Sequence, residues 1–285
     1  MRKLLGLTTM VVISATVLSG ALAAGAGAAS TAAVGAGGSA MIRAAGTSNG
    51  LPTISLNWSG YAATSSKPFT YASTKFVQPA VNCADSPTYV YTSNWVGLDG
   101  FNDDTVEQDG TSAHCNVYSG LPDYYAWIEM YPLPTVKEFN VSPGDVIEAS
   151  VAYSKGGTFA LTVSDVTAGV SKTVKDTCAS CARASAEWIV ERPAGCDPYP
   201  TNCFLFALAN FSPATMFDNA ATLQGGTRTK LGSLSHVHQI FMVQVKNNGQ
   251  FYSLDNVSPV NATNGFTVTW LAYGKKTPIT LGPRR

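Results

Sequence analysis

From about Leu51 onward, apolar and polar residues alternate with period two. In Asp145 to Tyr153, Ile147, Ala149, Val151 and Tyr153 alternate with Glu148, Ser150 and Ala152. Thr158 to Val163 repeats the pattern through Phe159, Leu161 and Val163, and Val237 to Val245 and Phe266 to Trp270 follow it. No window carries a 3.6-residue apolar stripe, and Gly, Pro, Asn and Asp interrupt at short intervals. Many short strands separated by turn residues predict an all-β sandwich or barrel.

Two strands carry information on both faces. Side chains alternate across a strand, so Tyr125 to Tyr131 presents Ala126, Ile128 and Met130 to a core. Its other face holds Tyr125, Trp127, Glu129 and Tyr131. In Glu187 to Glu191, Trp188 and Val190 lie on one side and Glu187, Ile189 and Glu191 on the other. Carboxylates sharing a face with aromatics suggest a concave binding sheet. A solvated sheet surface would give the same pattern.

The chain ahead of this region is built differently. Met1-Arg2-Lys3 precedes a short apolar run, Leu4 to Leu18, and small residues follow it. Ala21-Leu22-Ala23 and Ala26-Gly27-Ala28 both fit a signal-peptidase site, so residues 1–23 are expected to be a signal peptide, with cleavage as late as 28. The run is too short and interrupted for a spanning helix of about 20 apolar residues. Residues 24–50 are Ala, Gly, Ser and Thr with almost no large side chains. Such a stretch cannot offset its ordering entropy by burial, and it is expected to be a linker or short pro-segment. One domain then spans 51–272, and 273–285 reads as a polar tail.

Composition narrows the partners. Lys+Arg and Asp+Glu balance at 18 each, which argues against nucleic acid or an anionic surface. Six cysteines in an exported chain favour disulfides. Proximity suggests Cys83–Cys115, Cys178–Cys181 and Cys196–Cys203, a guess among roughly 15 connectivities. Cys178-x-x-Cys181 has no matching second pair, so a metal site is not expected. Only His114, His236 and His238 could act as bases for a serine, and no G-x-S-x-G elbow occurs. His236 and His238 share a face, without a further cluster to make them metal ligands. Asn-x-Ser/Thr sequons occur at Asn57, Asn140, Asn210, Asn256 and Asn261.

An ordered set of segments bears on function. Asn57-Trp58-Ser59-Gly60 is followed by Trp95-Val96-Gly97-Leu98-Asp99-Gly100 and Val106-Glu107-Gln108-Asp109-Gly110. Tyr125-Ala126-Trp127-Ile128-Glu129-Met130-Tyr131-Pro132 and Ser142-Pro143-Gly144-Asp145 come next. Ala186-Glu187-Trp188-Ile189-Val190-Glu191 and Phe211-Ser212-Pro213-Ala214 complete the series. Together they resemble the glutamic peptidases, or eqolisins, from about Asn57 to Pro213 and more loosely to Trp270. The resemblance implies a lectin-like (concanavalin A-like) sandwich of two curved antiparallel sheets with a substrate groove on the concave face. It implies a secreted, monomeric acid endopeptidase acting on protein or peptide substrates without a cofactor.

Gln108 matches the family's catalytic glutamine and Glu191 its catalytic glutamate, with Glu187 as the nearest competitor on the same face. Trp95, Asp99, Glu129 and Tyr131 match the groove wall, and Trp127 shares the face of Glu129. Fungal members carry an aspartate soon after Leu-Gln-Thr-Gly and a Tyr-Asp before Ala-Trp. Here those places read Gln108-Asp109-Gly110-Thr111-Ser112 and Tyr124-Tyr125.

One carboxylate can serve as base and then acid if it keeps the same proton through both steps. A glutamine amide can donate to the oxyanion while its carbonyl orients the water. The rival readings are a glycosidase and a non-catalytic sugar- or peptide-binding sandwich. Glu187 and Glu191 alone cannot form a glycosidase pair. Four residues along a strand separate Cα atoms by roughly 13 Å, beyond the ~5–9.5 Å that such chemistry uses. Glu129 with Glu191, across strands, leaves that reading open.

Overall fold

Two large sheets carry the chain. The computed structural model describes residues 41–42, 53–84, 86–87, 89–197 and 202–279. The expected signal peptide lies outside the described residues. Everything described belongs to one unit, Val34–Arg285.

The first sheet runs in the order Thr53–Ser55, Val237–Val245, Trp58–Thr64, Ser185–Glu191, Val90–Leu98, Val106–Cys115, Pro122–Tyr131, Val136–Asn140. Its pairings along that path are antiparallel except Thr53–Ser55 on Val237–Val245. The second runs Val170–Thr177, Thr158–Asp165, Val146–Ser154, Phe69–Val77, Ala214–Leu223, Phe266–Trp270, Asp255–Val257. The period-two stretches at 145–153, 158–163, 237–245 and 266–270 are all strands.

The main core lies between the sheets. Val96, Leu98, Ala126, Ile128, Trp188 and Val190 come from the inner face of the first sheet. Ala72, Phe76, Ile147, Ala149, Val151, Phe159, Leu161 and Val163 come from the second. The inward and outward faces read from Tyr125–Tyr131 and Glu187–Glu191 are those observed. Trp188 also ties the sheets by donating its indole N–H to Ser73 O at 2.8 Å, which satisfies its one polar atom in the core.

The outer face of the first sheet bears a second apolar cluster: Trp58, Ala62, Trp95, Phe101, Val106, Trp127, Ile189 and Ile240. Met41, Tyr125 and Tyr131 pack against it. The stretch expected to be a linker thus contributes a residue to this face.

All three expected disulfides are present, and Cys196–Cys203 closes a hairpin between Ala194–Cys196 and Cys203–Leu205. Within the expected polar tail, Thr277–Ile279 pairs with Cys203–Leu205, because that strand's free edge has donors and acceptors to satisfy. Among the described residues, no helix is long and apolar enough to cross a membrane.

Candidate active site

Cross-strand register arranges the outer face into rows, because directly opposed residues point to the same side. One row reads Glu129, Gln108, Gly97, Glu187, Ala62, His238. The next reads Trp127, Gly110, Trp95, Ile189, Gly60, Ile240. A third reads Tyr125, Ser112, Ser93, Glu191, Trp58. The residues expected from sequence, Gln108, Glu191, Trp95, Glu129 and Trp127, therefore share one face, and Glu187 shares it with them.

Glycines keep these rows open. Gly110 stands between Trp95 and Trp127, and a Cβ there would collide with the Asn94 carbonyl. Gly97 stands between Gln108 and Glu187, where a Cβ would come within 3.0 Å of Trp95 Cζ3 and 3.3 Å of Gln108 Cβ.

Glu191 ends its strand with both oxygens engaged. Trp95 Nε1 donates to Oε2 at 2.9 Å and Asn57 Nδ2 to Oε1 at 3.2 Å. Paired N–H donors stabilise a buried carboxylate. Asn57 is itself held, since its Oδ1 accepts from Ser55 Oγ at 3.0 Å and its carbonyl accepts from Arg192 N at 3.0 Å. The sequon at Asn57 is therefore buried inside the site. The buried Arg192 donates Nε to Leu56 O and Nη1 to Gln244 Oε1.

Gln108 donates Nε2 to Glu129 Oε2 at 2.9 Å. Its buried Oε1 accepts no hydrogen bond among the described residues, which leaves an acceptor for water or substrate. Register places Glu187 in the row of Gln108 and Glu191 two rows away, with Trp95 between them. Glu187 is fully buried and its oxygens accept no hydrogen bond among the described residues. Burial first, then the nearby Asp99, Asp103 and Glu107, push its carboxyl well above the usual range.

Asp99, expected in the groove wall, sits at φ 70 just past its strand. Its carboxylate accepts from Arg183 N and Ala184 N, both at 2.6 Å, and so ties the ends of two central strands. Burial and then Asp103 raise it to about 6. Glu107, on the inner face, lies near the sulfurs of Cys178 and Cys181, but these are bonded to each other. Among the described residues, His236 and His238 join no cluster of three metal-ligating groups. His238 instead lies 3.2 Å from Thr64 Oγ1 and its ring packs on Phe101.

The sequence pattern assigns no role to Asn57, Trp58, Phe101, Gly97 or Met41. Asn57 and Trp58 open the first of the ordered segments, so a signal was available for them. Phe101 and Met41 had none, because a loop and a small-residue stretch carry no periodicity.

Comparison with solved structures identifies the class. Scytalido-glutamic peptidase, solved with a transition state analog inhibitor, superimposes with a TM-score of 0.64 at 22% identity, over 75% of this chain and 98% of that one. SCP-B, an eqolisin solved with the tripeptide Ala-Ile-His, gives 0.62 at 20%, over 75% and 98%. Aspergilloglutamic peptidase from Aspergillus niger gives 0.51 at 26%, over 64% and 99%. The fold is the β-sandwich of the glutamic peptidases. The profile of the Peptidase A4 family matches residues 56–270, and the chain belongs to that family. No curated protein sequence matches significantly.

Proposed function

We propose that this chain is a secreted endopeptidase that hydrolyses peptide bonds at acid pH with Gln108 and Glu191. The observation that carries the reading is the shared face. Glu191 with its two N–H donors and Gln108 with its open carbonyl oxygen lie on one side of a sheet, with Trp95 between their rows. Glu191, ionised, takes a proton from water, and the water oxygen attacks the scissile carbonyl. The Gln108 amide donates to the developing oxyanion. Glu191 then gives the same proton to the departing nitrogen, and the C–N bond breaks. The step needs only this chain and water. Acid pH is what the resemblance to the glutamic peptidases implies, and the several buried carboxyls near the site accord with it. Secretion accords with the three disulfides and the N-terminal pattern, and the protein is read as a monomer acting on proteins or peptides.

Glu187 is the second reading for the glutamate. In its favour, it faces Gln108 directly across Gly97. Casein cleavage across an acid-to-neutral pH series, with pepstatin present, tests both. Glu191→Gln and Gln108→Ala are expected to abolish cleavage, while Glu187→Gln keeps it. The reverse result for the two glutamates moves the role to Glu187. Full activity in Gln108→Ala overturns the dyad.

A further inference from the structure

Cys178 and Cys181 are bonded to each other with Ala179 and Ser180 between them, a sequence separation of 3. A ring this small takes little entropy from the unfolded chain, and the chain around it is held by other bonds. Cys178 N donates to Gly157 O at 2.9 Å, and Arg183 N and Ala184 N donate to Asp99 at 2.6 Å. The Arg183 guanidinium also lies 3.6 Å from the ring centroid of Tyr153. The disulfide therefore restrains little that is not already restrained.

Its surroundings are chemically specific. A carboxyl oxygen of Glu107 and the sulfurs of Cys178 and Cys181 all lie within 4.8 Å of one another. Glu107 is 0% exposed, and its oxygens accept no hydrogen bond among the described residues. Asp99, Asp103, Glu187 and Arg183 are the charged or titratable groups that act on it. Burial first, then Asp99 and Asp103, push the carboxyl well above its usual range, against the pull of Arg183. Cys178 and Cys181 are both half-buried, whereas Cys115 and Cys203 bury one side of each of the other two disulfides. An external thiol thus reaches this pair with less obstruction.

A thiolate that opens a disulfide expels a second thiolate. Here the expelled sulfur would stay beside Asp99 and Asp103 with part of its surface out of water, where a bare negative charge is disfavoured. A neutral carboxyl within reach of one water supplies the missing proton. We infer that Cys178–Cys181 is a thiol–disulfide exchange site, with Glu107 as its proton donor and an external thiol as its co-substrate. The inference does not depend on the peptidase reading. The external thiolate attacks one sulfur of the pair, a new S–S bond forms and the Cys178–Cys181 bond breaks. The electron pair stays on the other cysteine, which takes the proton of Glu107, and Glu107 recovers one from solvent. A second external thiolate then attacks the outer sulfur of the mixed disulfide and expels the remaining cysteine, which is protonated in the same way. The pair gains two electrons and two protons, and two external thiols become one disulfide.

The test uses the full chain with glutathione in one arm and a reduced cysteine-containing peptide in the other. Samples quenched with N-ethylmaleimide are read disulfide by disulfide by mass spectrometry, with rates expressed per external thiolate. Cys178–Cys181 is expected to open about tenfold or more faster than Cys83–Cys115 and Cys196–Cys203. Its rate per thiolate should fall as pH rises from 5 to 8 and Glu107 loses its proton, while the other two stay flat. Glu107→Gln should lose about tenfold at pH 5 and flatten that profile, and Glu107→Asp should restore part of it. The wild-type profile is measured on the unaltered protein, so it decides the matter even where Glu107→Gln does not fold. Faster opening in either arm supports the site, and the faster arm names the source of the thiol. Opening no faster than at the other two pairs, a flat wild-type profile, or an unchanged rate in folded Glu107→Gln overturns the inference.

Discussion

Trp95 and Glu191 are joined by an indole N–H···O contact of 2.9 Å, while the far edge of the same ring lies beside Gly97. One indole therefore orients the carboxylate and stands between its row and that of Gln108. Trp95→Phe keeps most of the ring and removes only the donor. A hydrogen bond to a charged group is worth about 1.5–3 kcal/mol, so kcat should fall roughly 10- to 150-fold. KM should change little, because the apolar wall remains. Steady-state kinetics on one peptide substrate separate the two. An unchanged kcat would mean that Asn57 alone positions the carboxylate.

Much of this site is legible in the amino-acid sequence. The alternation in Glu187–Glu191 sends Trp188 and Val190 inward and leaves both carboxylates outside, and the same logic puts Trp127 and Glu129 on that face. Period two cannot specify register between strands distant in the chain. That Glu191 faces Trp58 and Ser93, and Glu187 faces Gly97, depends on how strands from three separate segments align. Phe101 and Met41 close the face from irregular backbone, where no pattern exists to read. The segment match gives Asp99 a place in the groove wall but could not show that its carboxylate accepts from Arg183 N and Ala184 N, which lie far along the chain.

Gly97 is the narrowest point between Gln108 and its row partner Glu187. An added methyl would lie 3.1 Å from Glu107 O and 3.3 Å from Gln108 Cβ, closer than ordinary packing. Gly97→Ala is expected to cost about 1–3 kcal/mol in stability by overpacking. Activity should fall further than the folded fraction does, because Gln108 is displaced. Urea unfolding beside specific activity on the folded protein checks this. Wild-type activity in the variant would show that Gln108 has room to shift without consequence.

The disulfides differ in what they restrain. Sequence separations are 32 for Cys83–Cys115, 7 for Cys196–Cys203 and 3 for Cys178–Cys181. Loop-closure entropy then ranks their contributions at about 3.5–4, 2.5 and 2 kcal/mol. Paired Cys→Ala variants, melted under identical conditions, should lose stability in that order. A larger loss at Cys178–Cys181 would mean that its packing beside the buried Glu107 outweighs the chain-entropy effect.

Buried carboxyls should make the protein more stable in acid than at neutral pH. Asp255 is pushed up to about 7 from 3.8 by burial, against the hydrogen bonds from Ser59 and the Met242 backbone. Burial likewise raises Asp99 to about 6 and lifts Glu107, Asp109 and Glu187 well above the usual range. A carboxyl raised in the folded state binds protons that the unfolded chain has already released. Its stabilising contribution is therefore complete below about pH 3.8 and is lost as pH climbs through the folded value. For Asp255 alone the loss between pH 4 and 7.5 is on the order of 3–4 kcal/mol. For a domain of this size that is a Tm about 10 °C higher at pH 4 than at pH 7.5. Asp255→Asn has the same shape and no titration, so it should remove several degrees of that difference while leaving the acid-side Tm close to wild type. Thermal melts of both proteins at pH 4, 5.5 and 7.5 decide the matter. A wild-type Tm that is flat or rises with pH contradicts the burial of these groups as neutral acids, and removes one support for the acid pH proposed above.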